Sequence, residues 1–187
     1  YVFGEEAGAD MRLTSLFSAG SALFWARVFG RRKPLFISWQ ITNRCNARCK
    51  YCDYWKYPEE KELNTQDIFR IIDELARLGT RAISFTGGEP LLREDIGRII
   101  DYAESQGIIS KINSNGFLII NKINELAKVS QVNLSFDGPR DIHDRIRGIG
   151  SYKAIFDAVP LLNDNKKRIV FHTVISKYNY SEIDFIL

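Results

Sequence analysis

The 187-residue chain holds three cysteines, all within one eight-residue stretch, Cys45-Asn46-Ala47-Arg48-Cys49-Lys50-Tyr51-Cys52. Thiolates are soft metal ligands and nucleophiles, so the C-x3-C-x2-C spacing points to metal or cluster chemistry. Three readings compete. A structural zinc wants four ligands, and the two histidines, His143 and His172, lie about a hundred residues downstream, so one would have to be recruited from afar. Three inert buried thiols form the second reading, set against the Arg48 and Lys50 that interleave them. The third is a [4Fe–4S] cluster held through three irons, with the fourth iron open to a ligand. The ferredoxin run differs, because it supplies four cysteines and serves electron transfer alone. An odd, clustered count argues against a disulfide scaffold and for a reducing compartment.

The elements that must carry this loop alternate in type. Leu35–Ile41 is apolar and rich in β-formers, a first strand ahead of the cysteines. Asn64 or Thr65 can cap a helix with Ile68, Ile71, Ile72, Leu75 and Leu78 on one face, ended by Gly79. Arg81–Thr86 reads as a second strand. Ile96, Ile99, Ile100 and Ala103 mark a second helix closed by Gly107. Ile108–Asn113 is a third strand, and Ile123, Leu126 and Ala127 mark a short third helix. Gln131–Phe136 is a fourth strand. Ser151 caps a fourth helix with Ile155, Ala158, Val159 and Leu162, which Pro160 is expected to kink or shorten. Arg168–Ile175 is a fifth strand, and Ser181-Glu182-Ile183-Asp184 resembles a helix start. Strands separated by helices pair in parallel through right-handed crossovers, giving an open doubly wound sheet or an incomplete barrel. In either, a site forms at the carboxyl ends of the strands.

Four segments sit at those ends in order. The cysteine loop follows strand one. Thr86-Gly87-Gly88-Glu89-Pro90 follows strand two, Ser114-Asn115-Gly116 follows strand three, and Ser135-Phe136-Asp137-Gly138 closes strand four. Taken singly, the last three also read as plain turns, which Gly, Pro and Asn-Gly serve well. Together, C-x3-C-x-aromatic-C with Tyr51 as the aromatic, and Gly-Gly-Glu-Pro after the next strand, resemble the radical S-adenosylmethionine (SAM) enzymes over about Leu35 to Leu187. The resemblance implies a partial (β/α)6 TIM-like barrel of parallel strands, truncated after strand five, with an N-terminal helix. It implies Cys45, Cys49 and Cys52 as ligands of a [4Fe–4S] cluster whose fourth iron is chelated by SAM. It further implies reductive cleavage of SAM to a 5′-deoxyadenosyl radical that abstracts hydrogen from a substrate.

The same resemblance extends to the other motif residues. Gly87, Gly88, Glu89 and Pro90 are expected at the methionine ammonium, Ser114 as a hydroxyl donor to SAM, and Ser135 at its carboxylate or ribose. Asp137 either joins them or holds the turn. Arg147, in His143-Asp144-Arg145-Ile146-Arg147-Gly148, is a candidate partner of the SAM carboxylate, with a surface arginine as the alternative. Thr173 and Ile175 are expected near adenine, and His143 is read as structural. The similarity is greatest to peptide-modifying and cofactor-building members, such as the pyrroloquinoline quinone, sulfatase-maturation and first molybdenum-cofactor enzymes. An electron donor such as a flavodoxin or ferredoxin is implied as a partner. The substrate, the electron donor's identity, any auxiliary clusters and the oligomeric state are not legible. Rivals from other classes are an Fe–S electron-transfer or binding module without SAM chemistry, and a membrane-surface protein.

Composition bounds these readings. The chain is 45% hydrophobic, 12% aromatic and 26% charged, which excludes a disordered or low-complexity protein. Its formal net charge of +3 gives no case for nucleic acid as main partner. Residues 1–33 read as an N-terminal extension and 34–187 as an incomplete core domain. Leu13–Ala26 is uncharged and mostly apolar but short of the roughly 20 residues of a membrane span. It reads as a helix packed on the domain, as an interfacial helix flanked by Arg31-Arg32-Lys33 touching a membrane, or as a signal peptide beginning at Met11. A thiolate cluster site favours a cytoplasmic location over the last. The start at Tyr1, upstream of Met11, and the end inside an apolar run read as a fragment of a longer protein.

Overall fold

A computed structural model describes residues 33–57 and 61–186. The apolar Leu13–Ala26 segment, the start at Met11 and most of the basic run lie outside the described residues. Five strands form one sheet: β1 (Phe36–Thr42), β2 (Ala82–Gly87), β3 (Ile109–Ser114), β4 (Gln131–Ser135) and β5 (Arg168–His172). Their spatial order is β1-β2-β3-β4-β5 and every pair is parallel. Strand order that never reverses is barrel order; a doubly wound sheet would reverse at a switch point. The sheet is an open arc, with the strands of a (β/α) barrel but no closure among the described residues.

Helices α1 (Thr65–Leu78) and α2 (Ile96–Ser105) return the chain across one face. Asn64 accepts the amide of Asp67 at 2.9 Å to start α1, and Gly79, at φ 92°, ends it. The one-face pattern of Ile68 and Ile72 meets Ile99, Ile100 and Ala103 of α2, and both pack on Ile83, Phe85 and Ile112 of the strands. The opposite sheet face is polar. Ser84 donates to the Asn113 side-chain oxygen at 3.3 Å, and the Asn133 amide donates to the same oxygen at 2.6 Å. Period-2 alternation thus divides the sheet into an apolar helix-covered face and a polar concave face.

Several expectations are corrected here. Arg140–Arg147 forms an unforeseen helix, α3, with Asp141 in its first turn and Arg145 and Arg147 in its last. It has few apolar residues, so its periodicity is weak; only Ile142 and Ile146 lie one turn apart. Helix α4 runs through Ser151–Asp164 without being shortened. Pro160 lies on its exposed side, away from the buried Ile155, Ala158 and Leu162. Ser151 is the first helical residue and not the cap. Asp144, from α3, takes the capping role by accepting from the Tyr152 amide at 2.8 Å and the Ser151 hydroxyl at 3.1 Å. The third helix is a 3-10 segment over Ile120–Leu126. β5 ends at His172, three residues early. The last helix, α5 (Ile183–Ile186), is one turn following a 3-10 turn at Tyr180–Glu182.

β5 pairs with β4 on one side and with no strand on the other among the described residues. Beside it, Phe136, Phe156, Phe171, Ile175, Ile183 and Phe185 surround an apolar hollow of about 570 Å³. Ile175 is 51% exposed and Phe156 46%. An unpaired parallel edge next to apolar surface favours association. The chain should therefore self-associate at micromolar concentration, and Phe156→Lys/Ile175→Lys should shift it toward monomer. Size-exclusion chromatography with light scattering reads the result, and an unchanged distribution would show that this edge is not the sticky surface.

Candidate functional site

The cysteine segment leaves β1 and crosses over the carboxyl ends of the other strands. A cavity of about 470 Å³ opens there. Cys45, Cys49, Cys52 and Tyr51 line it, with Gly87 and Gly88 from the end of β2, Ser114 and Asn115 from β3, Ser135 from β4, and Arg147 from α3. Thr173, His172 and Phe171 line its far side, and Asn113 and Asn133 reach it from the polar face of the sheet. The strand-end motifs therefore converge, because a parallel array delivers every strand's carboxyl end to one face.

The glycine pair has a steric duty. A Cβ on Gly87, which sits at φ 131°, would lie 2.1 Å from the Thr42 carbonyl oxygen, and one on Gly88 would lie 2.2 Å from that of Arg44. Both approaches leave room for hydrogen only. They allow the Gly88 amide to donate to the Thr42 carbonyl at 2.9 Å and the Glu89 amide to donate to the Arg44 carbonyl at 2.8 Å. The turn after β2 thereby fastens the backbone immediately ahead of Cys45.

Glu89 turns away from the cavity and is fully buried. Its carboxylate accepts from the Asn115 amide at 2.8 Å, the Leu91 amide at 3.2 Å and the Ser114 hydroxyl at 3.1 and 3.2 Å. Burial raises its pKa to about 7, against these three donors. Pro90 is also buried, opening a 3-10 turn over Pro90–Leu92. The side chains of Glu89 and Pro90 thus brace the site from behind. Ser114 faces both ways, since it donates to Glu89, accepts the Gly116 amide at 3.1 Å and borders the cavity.

A second buried network holds the other side of the cysteine segment. Asp137 accepts from the Tyr51 hydroxyl at 2.7 Å, from Arg147 Nε at 2.6 Å and from the Val174 amide at 3.0 Å. Its own amide donates to His143 Nδ1 at 3.0 Å. Arg147 also lies 5.6 Å from the Tyr51 ring centroid. Arg147 is therefore a buried partner of Asp137 and no surface arginine, and its terminal guanidinium nitrogens make no hydrogen bond among the described residues. Burial raises the Tyr51 phenol, the nearby Arg147 opposes it, and the bond to Asp137 raises it further. Thr173 is at the cavity, its hydroxyl donating to the Phe136 carbonyl at 2.5 Å. Ile175 is not there; it belongs to the apolar hollow beside β5.

The thiols are free and half-buried. Burial pushes Cys45 up, and pushes Cys49 up to about 11 although Arg147 pulls it down. Charge on Glu89 and Cys52 raises Cys45 further, and charge on Cys45 and Cys52 raises Cys49, so the three share one electrostatic neighbourhood. The Ala47 amide and, more loosely, Asn115 Nδ2 reach Cys45 Sγ, at 3.4 and 3.8 Å. No three His, Cys, Asp or Glu side chains converge on a single-ion position among the described residues. Thiols set around a cavity, three in number, fit a polynuclear cluster with one open iron better than a mononuclear zinc. Asn113, Asn133 and His172 join the site without a motif to announce them, and Asn115, within the Ser114-Asn115-Gly116 segment, joins it beyond the serine expected there; the signal available was their position at or near the carboxyl ends of strands.

Fold and cavity together define a parallel (β/α) protein with a thiol-lined site at its strand ends. A family model described as the Radical SAM superfamily matches residues 39–187, and the chain belongs to that superfamily. The Fe-coproporphyrin III synthase of Methanosarcina barkeri is 32% identical over 165 residues, 84% of this chain and 41% of that protein. The mycofactocin maturase MftC of Mycolicibacterium smegmatis is 29% identical over 161 residues, 83% of this chain and 41% of that protein. Streptococcus suis SuiB, solved bound to S-adenosylmethionine, superposes with a TM-score of 0.71 at 20% identity over 93% of this chain and 42% of that one, a likeness of fold. The chain spans about two fifths of the length of these relatives. Among the described residues no helix is long and apolar enough to cross a membrane.

Two outcomes follow from this geometry. Gly88→Ala should dislodge the segment ahead of Cys45, so iron uptake on anaerobic reconstitution should fall to less than half that of the parent; full uptake would show that the backbone gives way. His143 is held neutral, its pKa lowered to about 4 by burial and then by Arg147. The unfolded chain takes up a proton below the ordinary 6.5 while the folded one cannot, so this contribution is full above that pH and lost as pH falls through about 4. At about 1.4 kcal/mol per unit, the loss is on the order of 3 kcal/mol. His143→Asn, which keeps an acceptor for the Asp137 amide, should flatten that part of the stability profile in urea titrations between pH 7 and 4. An unchanged slope would mean that His143 titrates freely.

Proposed function

We propose that this chain is the SAM-binding core of a radical enzyme. It holds a [4Fe–4S] cluster through Cys45, Cys49 and Cys52. One observation supports the reading above the others: the three thiols, the Gly87–Gly88 turn, Ser114, Ser135 and the unsatisfied end of Arg147 all face one cavity. When bound, the reduced cluster and SAM would supply a one-electron cleavage of the sulfonium to methionine and a 5′-deoxyadenosyl radical, which takes a hydrogen atom from the substrate.

This chain's own residues bind and orient. Metal binding would displace the thiol protons of Cys45 and Cys49, which burial otherwise retains. The terminal N–H groups of Arg147 would pair with the SAM carboxylate while Nε stays on Asp137, so the cation is anchored before ligand arrives. Ser114 and Ser135 would offer hydroxyls to the amino-acid and ribose portions, and the Gly87–Gly88 backbone would approach the ammonium. Glu89 contributes by bracing the Ser114–Asn115 backbone. Asp137 keeps Tyr51, Arg147 and the backbone at Val174 in register, so its role is to hold the turn. The electron would come from a small carrier such as a flavodoxin or ferredoxin, and the substrate is a peptide or a cofactor precursor. Relatives named as an Fe-coproporphyrin III synthase and a mycofactocin maturase support that substrate class.

The test is anaerobic reconstitution, reduction with dithionite, and measurement of 5′-deoxyadenosine with SAM as the only added ligand. The parent chain should release it, and Cys49→Ala should release none and lose most of its iron. Arg147→Met should bind SAM about tenfold more weakly, the loss of one charge-assisted hydrogen bond. Equal iron in a triple Cys→Ala variant, or no cleavage product from a fully loaded parent, would overturn the reading in favour of a binding or electron-transfer module.

A further inference from the structure

The cysteine segment begins where β1 ends, at Ile41 and Thr42, and rejoins the fold at Glu62 and Leu63, ahead of α1. One side chain joins these two ends beneath the loop. Arg93, only 4% exposed, donates through Nη1 to the Ile41 carbonyl at 3.1 Å and to Glu62 Oε2 at 3.2 Å. Through Nη2 it donates to the Leu63 carbonyl at 3.1 Å and to Asp95 at 2.8 Å, and through Nε to Asp95 at 2.9 Å. All five N–H donors of the guanidinium are therefore used, and none is left for a ligand. Glu62 in turn accepts from Arg44 Nε at 3.0 Å and Arg44 Nη2 at 3.2 Å, and from the Thr42 hydroxyl. Asp95 also accepts the hydroxyl of Thr65, the first residue of α1, at 2.7 Å. None of Arg93, Glu62 and Asp95 borders the cysteine cavity.

We propose that Arg93, acting with Glu62, is a positioning residue that closes the base of the cysteine segment and thereby sets the spacing of the three thiols. A buried guanidinium is costly unless every donor is met. Here the donors are met by the entry of the loop, by its exit and by Asp95 ahead of α2, which in turn holds Thr65 at the start of α1, so the charge is stable only when these segments are together. The fork shape matters, because a lysine offers its donors from one point and cannot span Ile41, Glu62 and Leu63 at once. Glu62 carries the clamp onto Arg44, one residue before Cys45. The Gly88 and Glu89 amides hold the carbonyls of Thr42 and Arg44 from the other side.

The experiment uses this chain, first without iron and then reconstituted. In the iron-free chain, alkylation of each cysteine by iodoacetamide is followed by mass spectrometry. This arm is independent of the proposed reaction, whereas the second, iron loss to a chelator, rests on that reading. Glu62→Gln removes the charged link between the loop and Arg93 but leaves the Leu63 and Asp95 contacts. Ile99→Val, in the distant core, serves as a control that lowers global stability by roughly 0.5–1.5 kcal/mol without touching the loop. Glu62→Gln and Arg93→Lys should alkylate at Cys45 about tenfold faster than the parent, the loss of a charged hydrogen bond at the loop base. Their iron should leave several-fold faster, and the Ile99→Val chain should match the parent in both. If Arg93→Lys fails to fold, Glu62→Gln decides alone. Parent-like alkylation in Glu62→Gln, or equal acceleration in Ile99→Val, would overturn the proposal and make Arg93 an ordinary stabilising residue. Faster alkylation in a chain that never takes up iron would keep the clamp and discard the cluster.

Discussion

The site depends on a backbone-to-backbone contact between the ends of β1 and β2. Two residues without side chains, Gly87 and Gly88, let the turn after β2 lie directly on the carbonyls of Thr42 and Arg44. Parallel pairing sets the two strands side by side, but pairing alone stops at Thr42 and Gly87, where the register already shifts. Beyond that point the chain would be free to wander. The missing Cβ atoms let two further amide–carbonyl bonds form, and the cysteine segment starts from a fixed direction. The Gly-Gly turn thus has a structural duty that does not require any ligand.

Buried charge does the rest of the fastening. Arg93 lies under the loop and Asp137 beside it, and each gathers elements distant in sequence. Asp137 ties Tyr51 of the loop to Arg147 of α3 and to the backbone after β5. Such groups carry a desolvation cost of several kcal/mol each, which only complete pairing offsets. The consequence is selectivity of arrangement: a displaced loop leaves an unpaired buried ion, which costs more than a lost apolar contact. Arg147 differs from Arg93 in one respect that bears on function. Arg93 has every donor occupied, while Arg147 keeps its terminal nitrogens at the cavity. One is a fastener, and the other keeps donors free at the cavity.

The two faces of the sheet separate stability from chemistry. Isoleucines of α1 and α2 pack on Ile83, Phe85 and Ile112 to make a dry core on the helical side. On the concave side, Ser84, Asn113 and Asn133 hydrogen-bond across neighbouring strands and leave a polar surface below the thiols. A barrel filled with branched apolar side chains would offer no room there. Here the polar face is continuous with the cavity, so a ligand entering at the strand ends meets hydrogen-bonding groups.

Much of this was legible in the residues. The alternation of strands and helices, the apolar faces of α1 and α2, and the order of four strand-end motifs follow from local periodicity and turn chemistry, which need no long-range information. So does the gathering of the motifs on one side, because parallel strands deliver all their carboxyl ends together. Helix α3 was not legible, since charged residues dominate it and it is held by ties beyond itself: Arg147 to Asp137, Asp144 to the start of α4, and the burial of Ile146. Nor was the depth of Glu89, whose charge reads from the sequence as a contribution to the cavity and whose carboxylate in fact braces backbone behind it. Arg93, Glu62 and Asp95 carry no motif, and their meeting depends on where two loops end in space. The sequence by itself determined which residues could do chemistry and on which elements they ride. Only the tertiary structure decided which charged groups face the cavity and which are spent on holding it, because that choice turns on burial and on partners supplied by residues up to 86 positions away, as Tyr51 is from Asp137.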